Sequence, residues 1–121
     1  MKILVCEDDY MLLKTIEYKL KRDGYEVILA PDGKVASEIL GETEVDLIIT
    51  DLLMPYMSGL EVINLVRNEM KKDIPILVLS KIGLEDTVLK AFDMGADDYM
   101  VKPFSPLELG IRVKKISTLR K

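Results

Sequence analysis

With 121 residues, 49% of them hydrophobic, the chain has room for one domain, whose core would bury roughly two thirds of the surface the unfolded chain exposes. A single cysteine, Cys6, excludes an internal disulfide, and the absence of histidine removes the commonest metal ligand and general base, so zinc chemistry and Ser-His triads are excluded. The formal charge of -4 argues against a nucleic-acid surface spread over the whole domain, because such surfaces gather positive charge against phosphates.

The chain opens on MKILVCEDD, a β-branched run at 3–6 that turns acidic at Glu7, Asp8 and Asp9. That beginning is no signal peptide, and the longest apolar stretches, such as 74–79, have strand length rather than membrane length. A soluble, cytoplasmic protein without a membrane partner is expected. Asp9 reads as the cap of a first helix, whose Leu13, Ile16 and Leu20 share one face and which Gly24 can close. A second strand follows at 27–30; in YEVILA the alternation of Tyr25, Val27 and Leu29 suits a sheet edge. Asp32 before Ala36, Ile39 and Leu40 marks a second helix.

The third strand, 45–49, runs into Asp51 and then, unusually, into Leu52, Leu53 and Met54 rather than into polar turn residues. Met54 and Met57 read as loop packing. Ser58 with Glu61 has the form of a capping box for a third helix carrying Val62, Val66 and Met70 on one face. A fourth strand, 74–79, ends before Ser80; Val88 to Phe92 followed by Gly95 suggests the fourth helix; a fifth strand, 99–101, precedes Lys102. Ser105, Pro106 and Glu108 open a fifth helix with proline at the first helical position, where its missing N–H costs nothing. Beyond Glu108 the cations Arg112, Lys114, Lys115, Arg120 and Lys121 stand with no acid among them, which reads as a solvated helix face.

Five β-α repeats with central strands apolar on both faces imply an α/β fold: a doubly wound five-stranded parallel sheet, order 2-1-3-4-5, with five helices, of flavodoxin-like type. Ligands of such sheets bind at the carboxyl ends of the strands, near the switch point between strands 1 and 3. Those ends carry Glu7, Asp8, Asp51, Ser80 and Lys102. Crowded carboxylates repel unless one is protonated or a cation joins them. Lys102 supplies one charge, and with only oxygen donors on offer Mg2+ is the natural further cation. Such a set supports phosphoryl transfer to Asp51, with Lys102 offsetting charge and Ser80 donating a hydrogen bond to the product.

ILVCEDD, IITDLLMPYMSG, PILVLS and GADDYMVKPFSPLEL, in that order and spacing, resemble the receiver domains of two-component response regulators, most closely those of winged-helix transcriptional regulators, over essentially the whole of 1–121 as a single receiver domain. The resemblance implies that Asp51 is the phosphoacceptor, Asp8 a direct Mg2+ ligand, Glu7 a ligand through water and Leu53 a ligand through its backbone carbonyl. It implies Lys102 bridging to the phosphoryl group, Ser80 as the switch hydroxyl, Tyr99 as an aromatic that turns inward when Ser80 moves, and a cis Lys102–Pro103 peptide. It further implies a sensor histidine kinase as phosphodonor and control of a partner or of a covalently attached DNA-binding effector outside this chain. Homodimers pairing through the fourth helix, fifth strand and fifth helix would use Asp97, Asp98, Glu108, Arg112 and Lys115.

Two positions depart from the family pattern. Lys81 stands after Ser80 where a small residue is usual, its side chain either reaching out to solvent or reaching the phosphoryl group and altering its lifetime, and Val88 occupies a site usually basic. The alternative function is a receiver-like interaction module that works without phosphorylation. An enzyme is not expected: no Gly-rich phosphate loop follows the first strand, and DLL stands where an aspartyl phosphatase would carry an Asp-x-Asp pair.

Overall fold

The structure is a computed structural model, and it describes residues 1–119. Arg120 and Lys121 of the basic tail lie outside the described residues. In chain order the elements are β1 (Lys2–Cys6), α1 (Tyr10–Arg22), β2 (Glu26–Ala30), α2 (Gly33–Glu42), β3 (Leu47–Asp51), α3 (Gly59–Asn64) continuing into a π-helical stretch (Leu65–Glu69), β4 (Ile76–Lys81), α4 (Glu85–Met94), β5 (Asp98–Lys102) and α5 (Pro106–Leu119). All strand pairs are parallel and the sheet order is β2-β1-β3-β4-β5, the order expected from the sequence.

Successive side chains of a strand point to opposite faces, and the core divides accordingly. Leu4, Cys6, Ile48, Ile76 and Val78 pack with Val62, Val66 and Ala91 on one face, while Ile3, Val5, Ile49, Leu77 and Leu79 pack with Ile16, Leu20 and Val113 on the other. Asp9 caps α1 by accepting from the Leu12 amide, Asp32 caps α2 through Val35, and Ser58 and Glu61 complete the reciprocal capping box of α3. At α5 the Ser105 hydroxyl accepts from the Glu108 amide, while the Glu108 carboxylate accepts from Arg112. Gly95 closes α4 in the left-handed region, at φ 116°.

Two expectations change. β3 and β4 begin and end two residues later than the apolar runs suggest, because Val45 and Ile74 contribute to the core without pairing in the sheet and Pro75 has no N–H to give a neighbour. Asp51 and Ser80 therefore belong to their strands rather than following them. The third helix widens at Leu65, with Met70 N bonding Leu65 O at 2.8 Å, an i to i+5 closure. Val88 is buried, on the side of α4 that meets the core. The Lys102–Pro103 peptide is cis.

Candidate functional site

β1 leaves the sheet as Glu7, Asp8 and Asp9. The Glu7 amide still donates to Ala30 O at 3.1 Å, so the residue keeps its place in the ladder and its side chain is fully buried. Its Oε2 accepts from the Asp9 amide at 3.0 Å, and its Oε1 lies 2.6 Å from Lys102 Nζ without an aligned hydrogen bond. Burial is the main reason the Glu7 carboxyl is pushed up to about 7, the Lys102 ammonium and the Asp9 amide offsetting it only in part.

Asp51, the last residue of β3, is 3% exposed. Oδ2 accepts from Lys102 Nζ at 2.9 Å and Oδ1 weakly from the Leu53 amide at 3.4 Å. Leu52 answers why apolar residues follow: it is buried in the core at 1% exposure, so the chain re-enters hydrocarbon as soon as the carboxylate has been presented. Lys102 ends β5, and strands lie about 4.8 Å apart. With β4 standing between β5 and β3, a long stem is needed to carry its ammonium to Asp51 and, one strand further, to Glu7. Burial works against the charge on Lys102, yet its ion pairs with Glu7 and Asp51 hold its pKa above the ordinary value.

One carboxylate oxygen each from Glu7, Asp8 and Asp51 lie within 4.8 Å of one another, Asp8 being exposed and the other two buried. One ammonium does not balance three carboxylates, the donors are all oxygen, and Glu7 Oε1 is a buried acceptor lacking a directed hydrogen bond. These residues fit a hard divalent cation.

Ser80 and Tyr99 stand beside this cluster, on β4 and β5. Ser80 is buried with its hydroxyl turned back on Lys81 O at 2.9 Å. Tyr99 is 38% exposed, its ring edge-on to Phe92 at 5.8 Å between centroids. A groove of about 360 Å³ runs between them under α4, lined by Val88, Leu89, Phe92 and Val101 among others. Lys81, opposite Lys102 in the β4–β5 register, is exposed, in keeping with a side chain that reaches water.

The structure thus brings Glu7, Asp8, Asp51 and Lys102 together and leaves Ser80 and Tyr99 at the flank; Leu53 contributes its amide to Asp51. Sequence reasoning missed the Asp9 amide as a partner of Glu7 and the buried Thr50 hydroxyl, which donates to Asp51 O at 3.0 Å. Backbone donors leave no mark in residue types, and Thr50 reads as an ordinary strand residue. Of the dimer-face residues, Arg112 is spent within the chain on Asp98 and Glu108, and Asp97 accepts from Arg67 and from the Ile76 amide.

The chain matches the family model described as the response regulator receiver domain over residues 3–114. It is 41% identical over 115 residues to the alkaline phosphatase synthesis transcriptional regulatory protein PhoP of Bacillus subtilis, covering 95% of this chain and 48% of that protein. It is 38% identical over 116 residues to the phosphate regulon transcriptional regulatory protein PhoB of Klebsiella pneumoniae, covering 95% and 51%. The chain spans about half the length of these curated relatives. Among solved structures, a Francisella response regulator receiver domain superposes with a TM-score of 0.90 at 32% identity, over 99% of this chain and 98% of that one. No helix among the described residues is long and apolar enough to cross a membrane.

Proposed function

Because this chain belongs to the response regulator receiver domain family, we propose that it accepts a phosphoryl group on Asp51 from a sensor histidine kinase and passes the change to an effector. The observation that carries the reading is Lys102 Nζ held between Asp51 Oδ2 and Glu7 Oε1, 2.9 and 2.6 Å away, beside a three-carboxylate cluster. Mg2+, held by Asp8, Asp51, the Leu53 carbonyl and, through water, Glu7, would neutralise charge on the transferring oxygens.

An Asp51 carboxylate oxygen attacks phosphorus, forming the O–P bond of an acyl phosphate as the P–N bond to the donor's imidazole breaks and that nitrogen takes a proton. Lys102, already within reach, keeps its charge and turns from a carboxylate oxygen to a phosphoryl oxygen. Ser80 gives up Lys81 O for the phosphoryl group, and the space it leaves draws Tyr99 inward from Phe92. Charge-assisted bonds are worth about 1.5–3 kcal/mol each, so two or three formed only after modification supply the roughly 5.5 kcal/mol that moves a population from 1:99 to 99:1.

The PhoP and PhoB relatives are transcriptional regulators of about twice this length, and we assign this chain the same place, as the cytoplasmic receiving half of a regulator whose DNA-binding effector lies outside it. The test is intact mass after incubation with acetyl phosphate and Mg2+. One labile phosphoryl group is expected, absent with chelator and absent in Asp51→Ala. No gain in the wild-type chain would leave instead a module that binds partners unmodified.

A further inference from the structure

The loop that follows Asp51 is held at both ends by glycines. Where it returns, the Gly59 amide donates to Leu52 O at 3.0 Å, and a Cβ at Gly59 would fall 2.2 Å from Asp51 O. At its outer end the loop rests on Gly33, the first residue of α2, where a Cβ would fall 2.0 Å from Met57 O and 2.5 Å from Met57 Cβ. The chain between makes a tight three-residue turn, Met57 N to Pro55 O at 2.7 Å, with Tyr56 at φ 69°. A side chain at that φ is strained, and strain of this kind persists only where the surroundings impose it.

Gly33 is placed to impose it. Asp32 caps α2 through the Val35 amide at 2.9 Å and bonds Ala36 N through its carbonyl at 3.1 Å, and Gly33 itself is buried. The backbone there is not in the left-handed region that would by itself call for glycine; the requirement is contact alone. Met57 and Met54 pack on the core cluster below, so the loop cannot rise to make room without giving up that burial.

We propose that Gly33 is a positioning residue for the phosphoacceptor site: lacking a side chain, it seats the Met57 carbonyl against α2 and thereby fixes the strained turn that sets Leu53 beside Asp51. The proposal rests on the reading of Asp51, Asp8, Glu7 and the Leu53 carbonyl as the ion's ligands.

The test compares full-length wild type, Gly33→Ala and, as a control on the same helix, Gly41→Ala, whose added methyl meets nothing within 4 Å. Readouts are the Mg2+ dissociation constant by calorimetry, the metal-free amide resonances of residues 52–54 and 56–58, and thermal unfolding. Gly33→Ala is expected to weaken Mg2+ at least tenfold and to move these resonances while unfolding cooperatively; Gly41→Ala is expected to do neither. Should Gly33→Ala fail to fold, Gly33→Ala with Met57→Gly gives the loop freedom to retreat, and the folded double variant should still bind Mg2+ weakly. Wild-type affinity with unmoved loop resonances in whichever variant folds overturns the proposal, as does failure of both to fold, which would make Gly33 a residue of the fold only. Wild type that neither binds Mg2+ nor gains a phosphoryl group sinks the underlying site reading, a result the wild type reports by itself.

Discussion

Lys102 carries the single ammonium that two buried carboxylates share. Lys102→Met keeps the stem and removes the charge, so Glu7 and Asp51 face each other uncompensated. We expect a loss of about 1–3 kcal/mol, read by thermal unfolding, and a larger rise in midpoint with millimolar Mg2+ than wild type shows, because the ion then replaces a missing charge as well as binding its own site. Equal increments in the two proteins would contradict this. Cys6 makes the opposite case, a titratable group with no ion to meet. Burial pushes its thiol up to about 12, a bond with Thr50 working in the other direction. Between about pH 9 and 12 the unfolded chain has lost this proton while the native chain keeps it, so native stability falls with rising pH by up to about 1.4 kcal/mol per unit. Cys6→Ala should flatten that alkaline slope in urea titrations, and the wild-type thiol should resist disulfide reagents until the chain unfolds.

Between neighbouring elements, contacts separate what could be read from residue types from what could not. The caps at Asp9, Asp32 and Ser58 were legible because a cap and its amide lie three residues apart. The two-residue slip of β3 and β4 was not: apolar Val45 and Ile74 look like strand residues, and only the pairing of Leu47 with Ile3 and of Ile48 with Ile76 decides where the sheet begins. The π-helical stretch was equally hidden, since Val62, Val66 and Met70 keep helical spacing through it. That stretch carries Arg67, which donates to Gly95 O from Nε and Nη2, to Lys72 O from Nη1 and to Asp97, tying the end of α3 to the turn between α4 and β5. A Cβ at Gly95 would come within 2.9 Å of Arg67 Nε, so the glycine serves this contact as well as the helix end. Arg67→Met should cost about 1.5–3 kcal/mol by urea denaturation, and a loss under 0.5 kcal/mol would show the tie to be ornamental.

Across the whole molecule, the site's composition was readable because a doubly wound sheet sends every strand end to one crevice, and Glu7, Asp8, Asp51 and Lys102 are the residue types that crevice chemistry needs. What was not readable is how residues outside the crevice support it, such as Gly33 beneath Met57, because nothing in a local pattern pairs positions 24 apart. The face of α4, β5 and α5 exposes Leu89, Leu107 and Ile111 while Arg112 closes on Asp98 and Glu108 of its own chain. We propose that the unmodified chain keeps these charges to itself and that modification, by drawing Tyr99 inward, frees the face for a second copy. Light scattering with and without the phosphoryl analogue beryllofluoride should show a shift from monomer to dimer mass, lost in Arg112→Glu; an unchanged mass would place the output elsewhere.

The strand order also fixes when the crevice can exist. Its acids come from the first β-α unit and the third, and its amine from the fifth, 51 residues after Asp51. A nascent chain leaving the ribosome therefore holds unmatched acids until its last strand has emerged and crossed to its edge. The ammonium that Asp51 and Glu7 share is thus withheld from any translation product that stops short of β5.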